Sequence, residues 1–328
     1  MRRLFVASER GPLRLALVGA DNRLQGAWCF SAGRESLVGE RFLGRVMTVD
    51  RGLETAFIDI GLAKPGFLPL SASPTPPVEG QAVTVEVSRD PVAGKGARLN
   101  GRIGEAVALP AGSRPPVRLS HDGPLRRLIG RFGGDLDLIA DTRRMADELA
   151  TLAGDLPAGR QLRIEHRPQR DWVPAMAEIE SDIAAALEPR VELRSGAWLL
   201  FEPGQTLTAI DVNSGTAQGS AASRNGERLR LTINLEAAKE IARQLRLRHI
   251  GGIIVVDFID VKDANARRQV SQALRQAVAE DWEPCWVANM SRLGLVEMTR
   301  RRGGPTLSEM WVAEMQVPEK ESEKGKDE

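Results

Sequence analysis

Residues 234–260 read "NLEAAKEIARQLRLRHIGGIIVVDFID" and decide the fold class of the chain. The first part predicts an amphipathic helix with Asn234 as its N-cap and the glycine pair at 251–252 as its end. Its buried face consists of five apolar residues at helical spacing: Leu235, Ala238, Ile241, Ala242 and Leu245. The uninterrupted apolar run that follows predicts a strand buried on both faces, which is typical of a parallel sheet.

The segments on either side extend this pattern. Before the helix, "TLTAIDVNSG" (Thr206–Gly215) alternates as a strand that follows a hairpin turn at Pro203–Gly204. After the apolar run, a second amphipathic helix is predicted from its inward residues: Val270, Ala273, Leu274, Ala277 and Val278. Strand, helix, strand and helix in succession predict an α/β fold.

The first half of the chain is rich in strand signals. Residues 4–30 contain short apolar runs separated by turn residues, which predicts a β-meander. From there to about Arg98, strands and turns recur at the spacing of a small closed barrel. Residues 100–190 are less regular, but one predicted helix has an apolar stripe: Met176, Ile179, Ile183 and Leu187.

The composition is that of an ordinary globular protein, with 328 residues, 42% hydrophobic and 27% charged. The formal net charge of +1 gives no whole-molecule field directed at nucleic acid or membrane. Arginine supplies 38 of the 45 basic residues; a GC-rich genome explains this bias, and phosphate recognition is the alternative. Cys29 and Cys285 match no metal spacing and no apolar run reaches transmembrane length, so we expect a cytoplasmic protein with free thiols and no membrane partner.

Polar side chains interrupt the apolar pattern where two predicted strands end. Asp211 and Asn213 alternate onto one face of the first strand, and Asp257 ends the apolar run of the second. Sheets of α/β folds place ligand sites at the carboxyl ends of their strands. Because two neighbouring carboxylates repel each other, a cation between them is favoured, and Mg²⁺ commonly binds one or two carboxylates. The pattern therefore predicts a magnesium site suited to hydrolysis at phosphorus.

The same residues allow a structural interpretation. Asp211 and Asp257 would then be strand-end acids that cap neighbouring loops without a metal. Asp260 and Asp263 follow closely in the sequence, so either of them is an alternative second ligand. Spacing alone leaves these interpretations open.

The predicted barrel offers a second candidate site. Small five-stranded barrels bind single-stranded nucleic acid by stacking bases on exposed aromatic side chains beside basic groups. Phe57 in "TAFIDIG" and Phe67 in "PGFLPL" are the candidate aromatic side chains, and Lys95 in "AGKGARL" is the candidate basic group. The alternative for both phenylalanines is a place in the barrel core.

Several segments closely resemble the ribonuclease E/G family of bacterial endoribonucleases. In the second half, these segments are "LTAIDVNSG", "NLEAAKEIARQLRLRHIGGIIVVDFIDV" and "SRLGLVEMTRRR". In the first half, the ribosomal-type OB barrel of that family is similar to "GRVMTVDRGLETAFIDIGLAKPGFLPL" and the "GKGARL" after it. The similarity is continuous over about 1–100 and again over about 191–310.

The resemblance implies an α/β chain, α+β overall, with four parts. An RNase H-like subdomain, shortened here, would comprise residues 1–35 and 100–190, with an OB-fold RNA-binding barrel inserted at 36–99. A DNase I-like catalytic subdomain would occupy residues 191–312, and residues 313–328 would form a disordered charged tail.

The resemblance also implies an endoribonuclease that hydrolyses single-stranded RNA to 5′-phosphate and 3′-hydroxyl ends in RNA processing or decay. The metal-binding aspartates of the family correspond to Asp211 and Asp257, and its catalytic asparagine corresponds to Asn213. The implied ion is Mg²⁺, for which Mn²⁺ can substitute.

The family's RNA contacts imply further site residues. Its RNA-contacting barrel residues correspond to Phe57, Phe67 and Lys95. Arg292 is a further candidate for a phosphate contact, because it stands at the start of the similar segment "SRLGLVEM".

The chain also departs from the family pattern. Family members continue with a cysteine-bearing zinc link and a small dimerisation domain, whereas "TLSEM" here runs into a charged tail without cysteine. We therefore expect no zinc, and the homo-oligomeric state stays open. The arginine–threonine motif that reads a 5′-monophosphate end is not matched by "RLIGRFGG" near its place. A non-catalytic RNA-binding protein of the same family is the main alternative function, and a metal phosphoesterase acting on small molecules or DNA is a third.

Overall fold

The computed structural model describes most of the chain. The described residues are 1–9, 12–30, 36–91, 95–103, 112–119, 123–154, 156, 160–215 and 224–315. Apart from residues 313–315 at the end of the last helix, the predicted charged tail lies outside them. No helix in the described part is long and apolar enough to cross a membrane.

Strands and helices alternate in blocks along these residues. The strands are β1 (Arg2–Ala7), β2 (Leu13–Val18), β3 (Leu24–Phe30), β4 (Arg41–Asp50), β5 (Thr55–Asp59), β6 (Gly66–Pro69), β7 (Ala82–Arg89), β8 (Arg98–Asn100), β9 (Val117–Arg118), β10 (Leu136–Ala140), β11 (Leu162–His166), β12 (Arg190–Glu192), β13 (Trp198–Pro203), β14 (Leu207–Asn213), β15 (Gly252–Asp257), β16 (Cys285–Val287) and β17 (Leu295–Arg300). The helices are α1 (Pro124–Arg131), α2 (Arg143–Gly154), α3 (Gln169–Leu187), α4 (Arg224–Leu247), α5 (Ala264–Val278) and α6 (Leu307–Met315).

The chain divides into two compact units. One comprises Met1–Gly33 and Gly133–Glu328, and the other comprises Arg34–Phe132. This division does not test the four subdomains expected from the sequence, which stay predictions.

The unit Arg34–Phe132 contains a closed barrel. Its strands follow the order β5-β6-β8-β7-β4, and β4 also pairs with β5, which closes the circle. Apolar side chains from all five strands fill the interior: Phe42, Val46, Ala56, Ile58, Leu68, Val85, Val87 and Leu99. The predicted closed barrel is therefore confirmed, and its five strands are consistent with an OB fold.

The other unit contains two sheets. The first follows the order β11-β10-β1-β2-β3, in which β1, β2 and β3 form the antiparallel meander predicted for residues 4–30. The second follows the order β12-β13-β14-β15-β17-β16, in which β14 and β15 are parallel and the other neighbours are antiparallel. Strands from this sheet and helices α4 and α5 share one core, which confirms a mixed α/β fold.

Two local predictions about the second sheet are wrong. Asn234 is not an N-cap, because α4 begins at Arg224 and Asn234 is 0% exposed inside it. The apolar run of β15 is not buried on both faces, since Ile253 is 54% exposed while Ile254 and Val256 are fully buried. The physical reason is that Ile254 and Val256 face the shared core, whereas the alternate side chains point to the other face of the sheet.

Polar contacts connect α4, and the residues just after it, to β3 in the first sheet. Arg243 Nη1 donates to the Leu24 carbonyl at 2.7 Å, and His249 Nε2 lies 2.8 Å from the Ala27 carbonyl. Helix α4 therefore contacts both sheets of this unit. It packs on β14 and β15 through the shared core, and it is hydrogen-bonded to β3 of the first sheet.

Candidate active site

The centre of the candidate site is a pair of aspartates on neighbouring strands. In the parallel pairing of β14 with β15, Asp211 lies directly opposite Asp257. Ile210 and Val212 alternate into the core, so Asp211 and Asn213 share the opposite face of β14. The structure thus brings together the three residues singled out at these strand ends, although their catalytic and metal-binding roles stay predictions.

The two carboxylates influence each other electrostatically. Burial, and then the negative charge of Asp211, raise the pKa of Asp257 above its ordinary value. A raised pKa means that ionisation of Asp257 is less favourable here than in an isolated aspartate. A cation bound between the two acids would relieve this repulsion.

Asn213 holds the neighbouring carboxylate. Its side-chain amide Nδ2 donates a hydrogen bond to Asp211 Oδ2. The amide therefore fixes the orientation of Asp211 and leaves its second oxygen for another partner. Two residues further on, Gly215 adopts a left-handed φ of 54°, and a Cβ there would overlap the Gly196 carbonyl oxygen. The chain after Asn213 thus turns in close contact with the β12–β13 hairpin.

Asn234 is a positioning residue that the sequence did not reveal. Its Nδ2 donates to the Ile259 carbonyl at 2.7 Å, and its Oδ1 accepts from the Ile259 amide at 3.1 Å. This pair of hydrogen bonds fixes the backbone two residues after Asp257. The sequence does show an amide on the apolar face of a helix, between Ile233 and Ala237, which indicates a buried polar contact. It does not identify the partner, because Ile259 lies 25 residues away in the chain.

The turn between β16 and β17 borders the second aspartate. Gly294 has a φ of 86°, and a Cβ on it would lie 3.9 Å from Asp257 Oδ1. Ser291 stabilises the turn, because its Oγ accepts hydrogen bonds from the amides of Leu293 and Leu295. Arg292 is exposed in this turn, so it stands on the segment beside the acid pair.

The donor set fits a hard divalent cation. In the described part of the chain, no cluster of three or more histidine, cysteine or acidic side chains could hold a metal. Asp211 and Asp257 would supply two carboxylates to such an ion and leave the remaining positions to water and substrate, which is the usual arrangement for Mg²⁺. Of the alternative ligands, Asp263 caps α5 by accepting from the Ala266 amide at 2.9 Å, and Asp260 is an exposed loop residue.

The barrel residues belong to the other unit and form a surface of their own. Phe57 on β5 lies directly opposite Phe67 on β6, and both point outward from the barrel core. These two phenylalanines are therefore not part of the barrel core, which was the alternative interpretation from the sequence. Lys95 is exposed, and the segment that follows it packs tightly on β6: the Phe67 amide donates to the Ala97 carbonyl at 2.8 Å, and a Cβ on Gly96 would overlap the Pro65 carbonyl.

Comparisons with known proteins agree with the resemblance read from the sequence. The sequence model of the Ribonuclease E/G family matches residues 129–303. Ribonuclease G of Escherichia coli (strain K12) is 29% identical over an alignment that covers 82% of this chain and 73% of that protein.

Two ribonuclease E proteins are similar as well. The one from Nostoc sp. (strain PCC 7120) is 38% identical, with 63% of this chain and 31% of that protein covered. The one from Escherichia coli (strain K12) is 29% identical, with 94% and 38% covered. Because the family model matches more than half of the chain, this protein belongs to the ribonuclease E/G family.

Proposed function

We propose that this protein is a Mg²⁺-dependent endoribonuclease that hydrolyses single-stranded RNA to 5′-phosphate and 3′-hydroxyl ends. The observation that carries the proposal is the register of Asp211 opposite Asp257 at the carboxyl ends of two parallel strands. Family membership supports the same reaction class, since the similar proteins are named ribonuclease G and ribonuclease E. A role in RNA processing or decay in the cytoplasm is part of the proposal.

The acid pair would hold the cation, and Asn213 would orient the first acid. When bound, Mg²⁺ supplies charge neutralisation at the scissile phosphate and lowers the pKa of a coordinated water. Water would lose a proton and add to phosphorus, and the bond to the 3′ oxygen would break. That oxygen would take up a proton to become the 3′-hydroxyl, and the phosphate would stay on the 5′ end of the downstream fragment. The hydrogen bond from Asn213 Nδ2 to Asp211 Oδ2 would hold this carboxylate so that its other oxygen, Oδ1, can bind the cation.

The remaining predicted residues would bind the substrate. Phe57 and Phe67 offer an outward aromatic pair on which bases can stack, and Lys95 adds a positive charge beside it. Arg292 would contact a phosphate near the acid pair. The finer fold assignments, an RNase H-like subdomain and a DNase I-like catalytic subdomain, belong to this proposal too.

The direct test is cleavage of a fluorescent A/U-rich oligoribonucleotide in Mg²⁺ by the wild-type chain, Asp211→Asn and Asp257→Asn. We expect cleavage by the wild type and near-complete loss in both variants. Glu297→Gln is a matched control, because Glu297 is an exposed carboxylate on the neighbouring strand β17, opposite Val255. Unchanged cleavage by both aspartate variants would refute the metal-site assignment. RNA binding by the wild type without cleavage, at any Mg²⁺ or Mn²⁺ concentration, would favour the non-catalytic alternative.

A further inference from the structure

The outer surface of the barrel carries a row of residues that extends the aromatic pair. Successive strand pairings place five residues side by side from β4 to β7: Thr48, Phe57, Phe67, Arg98 and Arg89. Because neighbouring strands are about 4.8 Å apart, the row covers roughly 19 Å across the barrel. Two of its members are aromatic, two are basic, and Thr48 at one end is polar and uncharged.

Two β-bulges turn the ends of this row outward. After buried Val87, strict alternation would point Arg89 into the barrel, but the register shifts between these two residues and Arg89 is exposed. The pairing of β4 with β5 shifts in the same way between Val46 and Thr48, and Thr48 is exposed. Bulges commonly redirect side chains next to functional sites, and here both occur in the row that contains Phe57.

The two arginines are a cross-strand pair of like charges. Arg98 lies directly opposite Arg89, and both are exposed. Within the described residues, neither guanidinium has an ion-pair or hydrogen-bond partner. Like charges directly opposite each other destabilise a sheet, so this arrangement favours binding of an anion.

We infer that Arg98 and Arg89 bind consecutive phosphates of an RNA strand that crosses the barrel at right angles to its β-strands. Bases stack on Phe57 and Phe67 at one end of the row, and the backbone continues over the two guanidinium groups at the other. This inference rests on the proposed function for its substrate class. Beyond base stacking on the aromatic pair, the inference adds two phosphate contacts and the direction in which the RNA strand crosses the barrel.

The test measures the affinity of the full-length chain for a fluorescein-labelled A/U-rich decaribonucleotide by anisotropy, in EDTA, at several KCl concentrations. Arg98→Gln and Arg89→Gln should each weaken binding roughly five- to tenfold at 50 mM salt and lower the slope of log affinity against log salt by about 0.7. Arg98→Lys should keep the wild-type slope because it keeps the charge. Arg45→Gln is the matched control, since Arg45 is exposed on β4 but pairs with Asp59, outside the row.

The outcomes separate this inference from the proposed function. Wild-type affinity and salt slope in both glutamine variants, together with cleavage by the wild type, would overturn the inference and leave the function standing. Weaker binding with the lower slope supports the inference even if the wild type cleaves nothing, because binding is measured without metal. A wild-type chain that does not bind RNA at all would overturn the inference, and the cleavage assay in Mg²⁺ would then decide the proposed function separately.

Discussion

Two carboxylate groups in the same unit have opposite electrostatic surroundings. Glu240 is 6% exposed on α4 and lies 2.6 Å from Arg243 Nη2 and 2.8 Å from Arg23 Nη2. Burial opposes its ionisation, but the hydrogen bond and charge of Arg243, together with Gln244 and Arg23, outweigh burial and lower the pKa of Glu240. Asp257 has the opposite shift, because burial and the charge of Asp211 both raise its pKa.

The opposite pKa shifts distinguish two kinds of carboxylate. Glu240 stabilises the fold, whereas Asp211 and Asp257 form a pair that is suited to binding a ligand. Glu240 has its cations supplied by the chain itself, so removing its charge leaves Arg243, whose side chain is only 13% exposed, without a carboxylate partner. In the described part of the chain, Asp211 and Asp257 have no arginine or lysine in ion-pair contact. Under the proposed function, a cation from solution would balance their charge, and the cost of keeping the two carboxylates together would be recovered when it binds.

Replacing one member of the acid pair should give the largest change in activity and none in stability. Asp257→Asn should lower the cleavage rate about a thousandfold, since a metal centre contributes several kcal/mol at the transition state. Removal of a repulsive charge should leave the melting temperature unchanged or slightly higher. Melting curves with and without Mg²⁺ check the comparison, because binding to the folded state raises the melting temperature of the wild type but not of the variant. A clear drop in the metal-free melting temperature would contradict this interpretation.

The acid pair could be predicted from the sequence, whereas the contacts around Glu240 and Asn234 could not. Asp211 and Asp257 stood out because strand periodicity and the end of an apolar run are local signals, and a single helical crossover limited how far apart they could lie. The partners of Glu240 include Arg23, which is distant in the chain, and the role of Asn234 depends on Ile259. Such contacts are set by how α4 packs on the two sheets, which periodicity does not specify. The bulges that expose Arg89 and Thr48 are likewise a property of strand register rather than of residue pattern.

Replacing Glu240 should give the largest loss of stability. Glu240→Gln leaves Arg243 buried without its carboxylate, which costs about 3 kcal/mol of unfolding free energy. Cleavage per folded molecule should stay near the wild-type level, because α4, which carries Glu240, packs on the face of the second sheet opposite the acid pair. Urea unfolding and cleavage at low temperature measure the two quantities separately. Glu148→Gln is the control, since its ion pair with Arg144 is exposed and should be worth less than about 1 kcal/mol. A stability loss no larger than that of this control would show that the Glu240 cluster is not a structural charge centre.

Asn234 is buried in the fold and also contacts the backbone close to the acid pair. Its replacement should therefore moderately lower both the stability and the cleavage rate. Asn234→Ala removes two hydrogen bonds to the Ile259 backbone and costs about 2 kcal/mol of stability. Because Ile259 follows Asp257 so closely, cleavage per folded molecule should also fall, by roughly tenfold. A higher Mg²⁺ concentration should be needed for cleavage. Lys239→Ala, an exposed substitution on the same helix, should change neither. A stability loss without any change in the Mg²⁺ concentration needed for cleavage would limit Asn234 to a structural role.

The smallest expected effect is the pH dependence of the Glu240 contribution. A carboxylate whose pKa is lowered in the folded state contributes stability that is complete above its unfolded pKa of about 4.3 and is lost as the pH falls through the folded value. The stability difference between wild type and Glu240→Gln should therefore be constant between about pH 5 and 7 and shrink below about pH 4. Urea midpoints measured across this range test the sign directly. A difference that grows on acidification would mean that Glu240 is protonated in the folded protein, so that its arginines do not outweigh its burial.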